Sequence, residues 1–294
     1  MVKELRQRTG APIGDAQKAL KESNGSMDEA MEWLRRKGLA AAAKKAASRH
    51  AADGLVALAT APGRVAVVEV NSETDFVARN ETFQALLRSV SQSMLSLEAA
   101  PGEAEIAGDV VGGAKVPEGA PHAGMTAEEA ATSVSASVRE KVSLRRGFLV
   151  DSPGGVIGTY VHGQVGDGVG RIAGVVALEG AGDAAGAERV AQGLAMHVAA
   201  MRPRYVTAED VPAEVREAER KKHVEAAVAA GKPADIAERV ADGQWRKWLA
   251  ECCLVEQEYV LEEGRSVRDV VGALGKGARV ARVVRAEVGE GLSE

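Results

Sequence analysis

Over residues 1–50, apolar side chains recur at helical spacing. Val2 and Leu5 mark a short helix that the TGAP sequence (9–12) breaks. Ile13, Ala16, Ala19 and Leu20 mark a second, closed by SNGS (23–26). Met27, Ala30, Met31 and Leu34 mark a third, with Ser26 placed to cap it. The Ala-rich stretch that follows, to His50, predicts a helical linker with Lys44, Lys45 and Arg49 on its polar face. At Asp53 the period changes. Two β-branched runs flank Pro62-Gly63, which predicts a hairpin. After NSETDFVARN (71–80) the helical period returns, with Phe83, Leu86, Leu87, Val90 and Met94 on one stripe.

Residues 98–129 are rich in Gly, Pro and Ala and carry seven acidic residues against Lys115 alone, which predicts a surface insertion or loop. A short helix and the strand VSLRRGFLV (142–150) follow. The order of hairpin then helix then repeats: strands around GVIGTYVHG (155–163) and GRIAGVVALEG (170–180) precede a helix over 184–201 striped by Val190, Leu194, Val198 and Met201. His197 lies beside that stripe and reads as structural. Residues 209–230 and 233–250 predict two antiparallel helices around Gly231-Lys232-Pro233. Ala237, Ala241, Trp245, Trp248 and Cys252 share one side of the second, so the two Trp belong to the seam or to a dimer surface. QEYVL (257–261), a short helix from Ser266 and ARVARVVRAEV (278–288) return the chain to the second sheet unit.

Composition narrows the possibilities. The chain has 294 residues, 46% apolar but only 3% aromatic, so its cores are built from Ala, Val and Leu. It holds 37 Lys+Arg against 42 Asp+Glu, a net charge of −5, which speaks against a general polyanion binder. The basic first 50 residues read as a solvated helix face or a partner surface. Arg145 and Arg146 precede a strand and read as a solvated turn, with an interface role as the alternative. No apolar run approaches the ~18–20 residues that span a bilayer, and no signal-peptide pattern opens the chain. Cys252 and Cys253 are adjacent and cannot form a disulfide framework, which points to a reducing compartment. The five histidines (50, 122, 162, 197, 223) lack metal-ligand spacing. GALGKG (272–277) is too short for a phosphate loop, and GDGVG (166–170) joins two strands where a dinucleotide fingerprint would open a helix. These patterns predict no catalytic residue, no cofactor and no metal.

Phe76 stands apart. It lies between Asp75 and Val77 in a polar connection between strand and helix. Either Phe76 or Val77 packs back on the following helix as a hydrophobic staple, or Phe76 is an aromatic anchor held out for a partner.

The segments LRQRTGAPIGDAQKALKESNGSMDEAMEWLRRKG (5–38), VEVNSETDFVARN (68–80), GTYVHG (158–163), AMHVAAMRPRYV (195–206), GKPADIAERVADGQWRKW (231–248) and AEVGEG (286–291), in that order, resemble the translation elongation factor Ts family, guanine-nucleotide exchange factors of elongation factor Tu. The resemblance implies an α+β fold: a UBA-like amino-terminal three-helix module, two related sheet-plus-helix core subdomains and a protruding antiparallel helical hairpin. It implies that Thr74, Asp75, Phe76 and Val77 enter the nucleotide domain of Tu and disturb its magnesium site. Phe76 would act as the wedge, and Asp75 would compete for or reorganise polar contacts. His162 matches a second contact, with another Tu domain. The hairpin over 209–250 resembles an arm used for self-association, so a homodimer is an expected partner, and neither nucleic acid nor membrane is. Ser72 and Gln17 stand where the family often has Cys. Some relatives continue past GEGLSE into a further helix.

The expected domains are 1–50, 51–142 with the acidic insertion at 98–129, 143–206, the hairpin 207–252, and 253–294 returning to the second core unit. The expected setting is the bacterial cytoplasm, with the chloroplast stroma or mitochondrial matrix as the alternative for a processed form. The competing function is an adaptor that binds a ubiquitin-like or peptide partner through residues 1–50.

Overall fold

The structure is a computed structural model and describes residues 1–46, 51–98 and 105–292. Val2–Thr9 (α1), Ile13–Glu22 (α2) and Met27–Ala46 (α3) form the three-helix module around Leu5, Ala16, Ala19, Leu20 and Ala30. Gly10, at φ +66°, ends α1 in the left-handed conformation that glycine accepts most readily. The Ala-rich linker is no separate element. With no strong breaker before it, α3 runs on through the stretch to Ala46; Arg49 lies outside the described residues. Ile13, expected on the apolar stripe, is 56% exposed because it opens α2 beyond the edge of the small core.

Asp53–Ala61 (β1) and Arg64–Ser72 (β2) form the expected hairpin, with Gly63 at φ +69° in its turn. Asp75–Ala78 (α4) and Glu81–Met94 (α5) follow, then Glu105–Ala107 (β3), Gly108–Gly113 (α6), Ala127–Val138 (α7) and Val142–Asp151 (β4). The next elements are Val156–His162 (β5), Val169–Gly170 (β6), Ile172–Glu179 (β7) and Ala184–Met201 (α8). Ala213–Ala229 (α9) and Ala234–Cys252 (α10) make the hairpin, and Val267–Gly272 (α11) and Arg279–Glu287 (β8) complete the order. One sheet runs β3-β4-β2-β1-β6 and the other β5-β7-β8, with neighbouring strands antiparallel within each.

The two sheets stack, and each carries helices on its outer face. Leu55, Ala57, Ala66, Val68 and Val70 face α5 and α7. Val56, Val65, Val67, Phe148 and Val150 pack against Ala173, Val175, Ala177, Val284 and Ala286 of the second sheet. Val176 and Leu178 face α8 and α11. Both faces of β2 are therefore buried, which is why its sequence reads as a nearly continuous apolar run. On the second sheet, α8 lies flush against the backbone. A Cβ at Gly158 would come within 2.0 Å of the Ala191 carbonyl carbon, and one at Gly174 within 2.1 Å of the Ala195 oxygen. Ala191 and Ala195 thus join the expected Leu194 and Val198 against the sheet, Val190 packs half-buried at the edge of this core, and Met201, expected on the stripe, is 45% exposed.

Three further expectations change. Segment 98–129 is not simply a surface insertion: β3 extends the first sheet, and Ile106, Val111, Ala114 and Val116 are buried. These apolar residues sit at irregular intervals among Gly and Pro and show no period. β4, placed by its sequence at the head of the second core unit, pairs with β2 from Arg64↔Asp151 to Ser72↔Val142, and β6 pairs with β1, so the two units interleave. QEYVL is not a strand. Glu258 makes an isolated bridge to Ser266, while Tyr259 turns inward to pack with α8 and α11.

Arg145 and Arg146 are likewise not a solvated turn. The register of β4 against β2 slips at Glu69/Val70, so that Arg145 is the extra residue of a β-bulge. Consecutive strand residues ordinarily point to opposite faces; the bulge brings both guanidiniums to one carboxylate. Glu69, fully buried, accepts from Arg145 Nη1 and Arg146 Nε at 2.7 Å each, and also from the Gly289 N–H at 2.7 Å. Removing one partner from such a site strands the others, so Glu69→Gln is expected to cost about 3 kcal/mol in urea denaturation.

His197 is structural, as expected. Its Nε2 lies 2.9 Å from Gln257 Oε1, and its Nδ1 accepts the Val260 N–H at 3.2 Å. A neutral ring satisfies both bonds; a proton on Nδ1 would break the second. Burial accordingly holds this imidazole below its ordinary value. The unfolded chain takes up that proton near the ordinary value of about 6.5, before the folded one does, so stability is full above it and falls as pH drops below it. Wild type is expected to lose more stability than His197→Gln between about pH 7.5 and about pH 5.5, read from urea midpoints.

Candidate partner-binding site

The TDFV segment leaves the end of β2 on a turn tied down from both sides. Ser72 is buried, and its Oγ donates to the Thr74 carbonyl at 3.0 Å. Thr74 donates its N–H to Glu140 Oε2 at 3.1 Å, and its hydroxyl lies 2.9 and 3.0 Å from the two oxygens of that carboxylate. In return, Glu73 Oε1 accepts the Lys141 N–H at 2.5 Å. The single turn α4 then places neighbouring side chains in opposite environments. Val77, 6% exposed, and Ala78 enter the core beneath α5, while Phe76 is 77% exposed. Val77 is therefore the staple, and Phe76 is held out. Asp75, half-buried, accepts from Arg79 Nη2 at 3.3 Å across this turn. Asn80 Oδ1 caps α5 through the Thr82 N–H at 2.8 Å, which fixes where the turn ends.

His162 lies elsewhere. It ends β5, an edge strand of the second sheet, and is exposed, with its Nδ1 3.3 Å from the Tyr160 hydroxyl. Thr74, Asp75, Phe76 and Val77 thus come as one local unit, and His162 belongs to a different sheet. No local spacing signals Glu140, which meets Thr74 across 66 residues. The two Trp of α10 stack at 4.9 Å at the base of the hairpin, half-buried in its seam, where Arg204 covers Trp248 at 5.2 Å. Among the described residues, no group of three or more His, Cys, Asp or Glu could hold a metal ion, and no helix is long and apolar enough to cross a membrane. A groove of about 300 Å³ between β1 and α5 is lined by Leu58, Thr60, Arg88, Gln92 and Asp167; it includes neither Phe76 nor His162.

Fold and site together define an α+β protein that offers an aromatic side chain on a fixed turn. A family model described as Elongation factor TS matches residues 73–290. Over the whole chain, 39% of positions are identical to an Elongation factor Ts of Agrobacterium fabrum, 40% to one of Brucella anthropi and 38% to one of Sinorhizobium medicae. Each alignment covers 100% of this chain and 93% of the relative. The chain belongs to the elongation factor Ts family, and with it to the translation elongation factors.

The opposite burial of two adjacent residues separates stability from surface. Val77→Ala opens a cavity in the core and is expected to cost about 1–3 kcal/mol. Phe76→Ala is expected to change stability by less than about 0.5 kcal/mol. Urea denaturation of both variants measures the contrast.

Proposed function

We propose that this chain binds elongation factor Tu carrying GDP and speeds GDP release by disturbing the magnesium and nucleotide site, with no covalent chemistry of its own. The observation that carries the reading is Phe76: one of only three Phe in the chain, 77% exposed on a turn whose neighbours are buried or hydrogen-bonded. A side chain so exposed gains nothing from the fold and is available to a partner. Membership of the elongation factor Ts family supports elongation factor Tu as that partner. His162, exposed on the other sheet, serves as the second contact in this reading. The setting is the bacterial cytoplasm, in keeping with the bacterial relatives.

Exchange of this kind is a coupling free energy. If the factor prefers the nucleotide-free partner, it weakens GDP binding by the same factor by which GDP weakens its own binding. Burying one Phe contributes roughly 1.5–3 kcal/mol, or about 10- to 150-fold in an equilibrium constant. Phe76 supplies part of the coupling; the rest falls to the wider interface and to lost magnesium contacts. The adaptor reading gains no support, because the relatives that align over the whole chain, residues 1–50 included, are elongation factors Ts.

Phe76→Ala is expected to slow GDP release from Tu about tenfold or more at saturating factor. Stopped-flow fluorescence with a labelled GDP checks this. An unchanged rate at saturation would remove Phe76 from the mechanism.

A further inference from the structure

We infer that Glu140 is a positioning residue for exchange: its carboxylate fixes the turn that holds Phe76 out. The inference rests on the proposed function and adds a residue from a remote part of the chain. Thr74 occupies the cap position of α4, with extended backbone at φ −134° and ψ 156°. At such a position a Thr side chain ordinarily accepts a backbone N–H from the first turn of its own helix. Here it makes no such cap, because its hydroxyl is turned to Glu140. The backbone N–H of Thr74 goes to the same carboxylate. Two donors from one residue thus converge on one charged acceptor, a strong and directional arrangement.

Glu140 is itself held before any partner arrives. Its carbonyl accepts the Ser135 hydroxyl at 2.6 Å, and Arg139, at φ +61°, closes α7 just ahead of it. One residue further on, the Lys141 N–H reaches back to Glu73. Residues 73–74 and 140–141 therefore form a reciprocal clamp, with an acidic side chain contributed by each strand of chain. The clamp lies immediately before Phe76 and leaves Phe76 itself untouched. A turn fixed in this way presents the ring in one orientation, so a partner need not order it on binding. Loss of the clamp should therefore act on the exchange step more than on the encounter, which the wider interface governs.

GDP release from elongation factor Tu, followed across a range of factor concentrations, tests this with full-length wild type, E140A, E140Q, T74V, F76A and the double variant E140A/F76A. E140A is expected to lower the maximal release rate about tenfold, while shifting the half-saturating concentration less than about twofold. E140Q keeps an oxygen that can accept the Thr74 N–H and should recover part of the loss; T74V should lose in the same direction as E140A. Added to F76A, E140A should change the rate by less than about twofold, because both act through one side chain. In the free protein, amide exchange over 73–78 should quicken in E140A. A maximal rate in E140A equal to wild type, or a full E140A loss persisting in the F76A background, would overturn the positioning role. Wild type run alongside separates the two readings: no acceleration by wild type would overturn the exchange function itself, whereas acceleration that E140A matches would overturn only the role of Glu140. If E140A does not fold, E140Q and T74V decide by the same criteria.

Discussion

The carboxylate of Glu69 is the point on which the architecture closes. It sits in the middle of β2, the strand buried on both faces, where an ionised group survives only with near-complete hydrogen bonding. Two guanidiniums and a backbone amide provide that. Their sources explain its reach. The arginines come from β4 through the bulge, and the amide comes from Gly289, just past β8 of the second sheet. Arg145 also donates to the Glu290 carbonyl, and Arg146 approaches Glu105 of β3 at 3.6 Å. One charge thus ties together the neighbouring strands of the first sheet and the segment that leaves the second.

That closure matters for the candidate site because β2 delivers it. Three residues beyond Glu69 the strand ends at buried Ser72, and the chain turns at once into the clamp between 73–74 and 140–141. Glu140 and Lys141 stand directly ahead of β4, the strand that supplies the two arginines. The same pair of strands is therefore locked in its middle by Glu69 and at its end by the clamp. Phe76 is carried on a short turn, but the turn stands on a pair of strands braced at both points. An exposed aromatic on a loose loop would lose conformational freedom on binding; here most of that loss occurs during folding.

The parts of the fold legible in the sequence are those governed by neighbours along the chain. The α5 stripe, the Pro62-Gly63 hairpin and the helical hairpin around Gly231 follow from local period and turn chemistry. The distinctness of Phe76 was also visible, since an aromatic in a polar connection stands out in a chain with so few. Which of Phe76 and Val77 enters the core was not decidable from spacing, because a single helical turn carries no period. What escaped was long-range. The role of Glu140 depends on a contact across 66 residues, and the fate of Arg145 and Arg146 depends on a bulge that no local pattern announces. Ile106, Val111 and Val116 were hidden by the Gly and Pro between them. The acid inside the apolar run VAVVEV and the adjacent basics of VSLRRG carry the ion pair in the sequence, though not its geometry.

The interleaving of the sheets has a consequence for the order in which the chain can fold as it is synthesised. The first sheet has all its strands once β6 has been made. The second cannot be completed until β8 arrives, and Glu179 of β7 waits 100 residues for its partner Arg279. The helical hairpin, built from contacts close in sequence, lies within that interval and can form first. Meanwhile one edge of β7 has no strand to cover it, and an open edge is a surface on which other chains can pair. The two halves of this core are thus unequal in time: the strands of the half bearing Phe76 can pair on the ribosome while its companion still lacks β8, and the Glu69 site closes last, when Gly289 arrives.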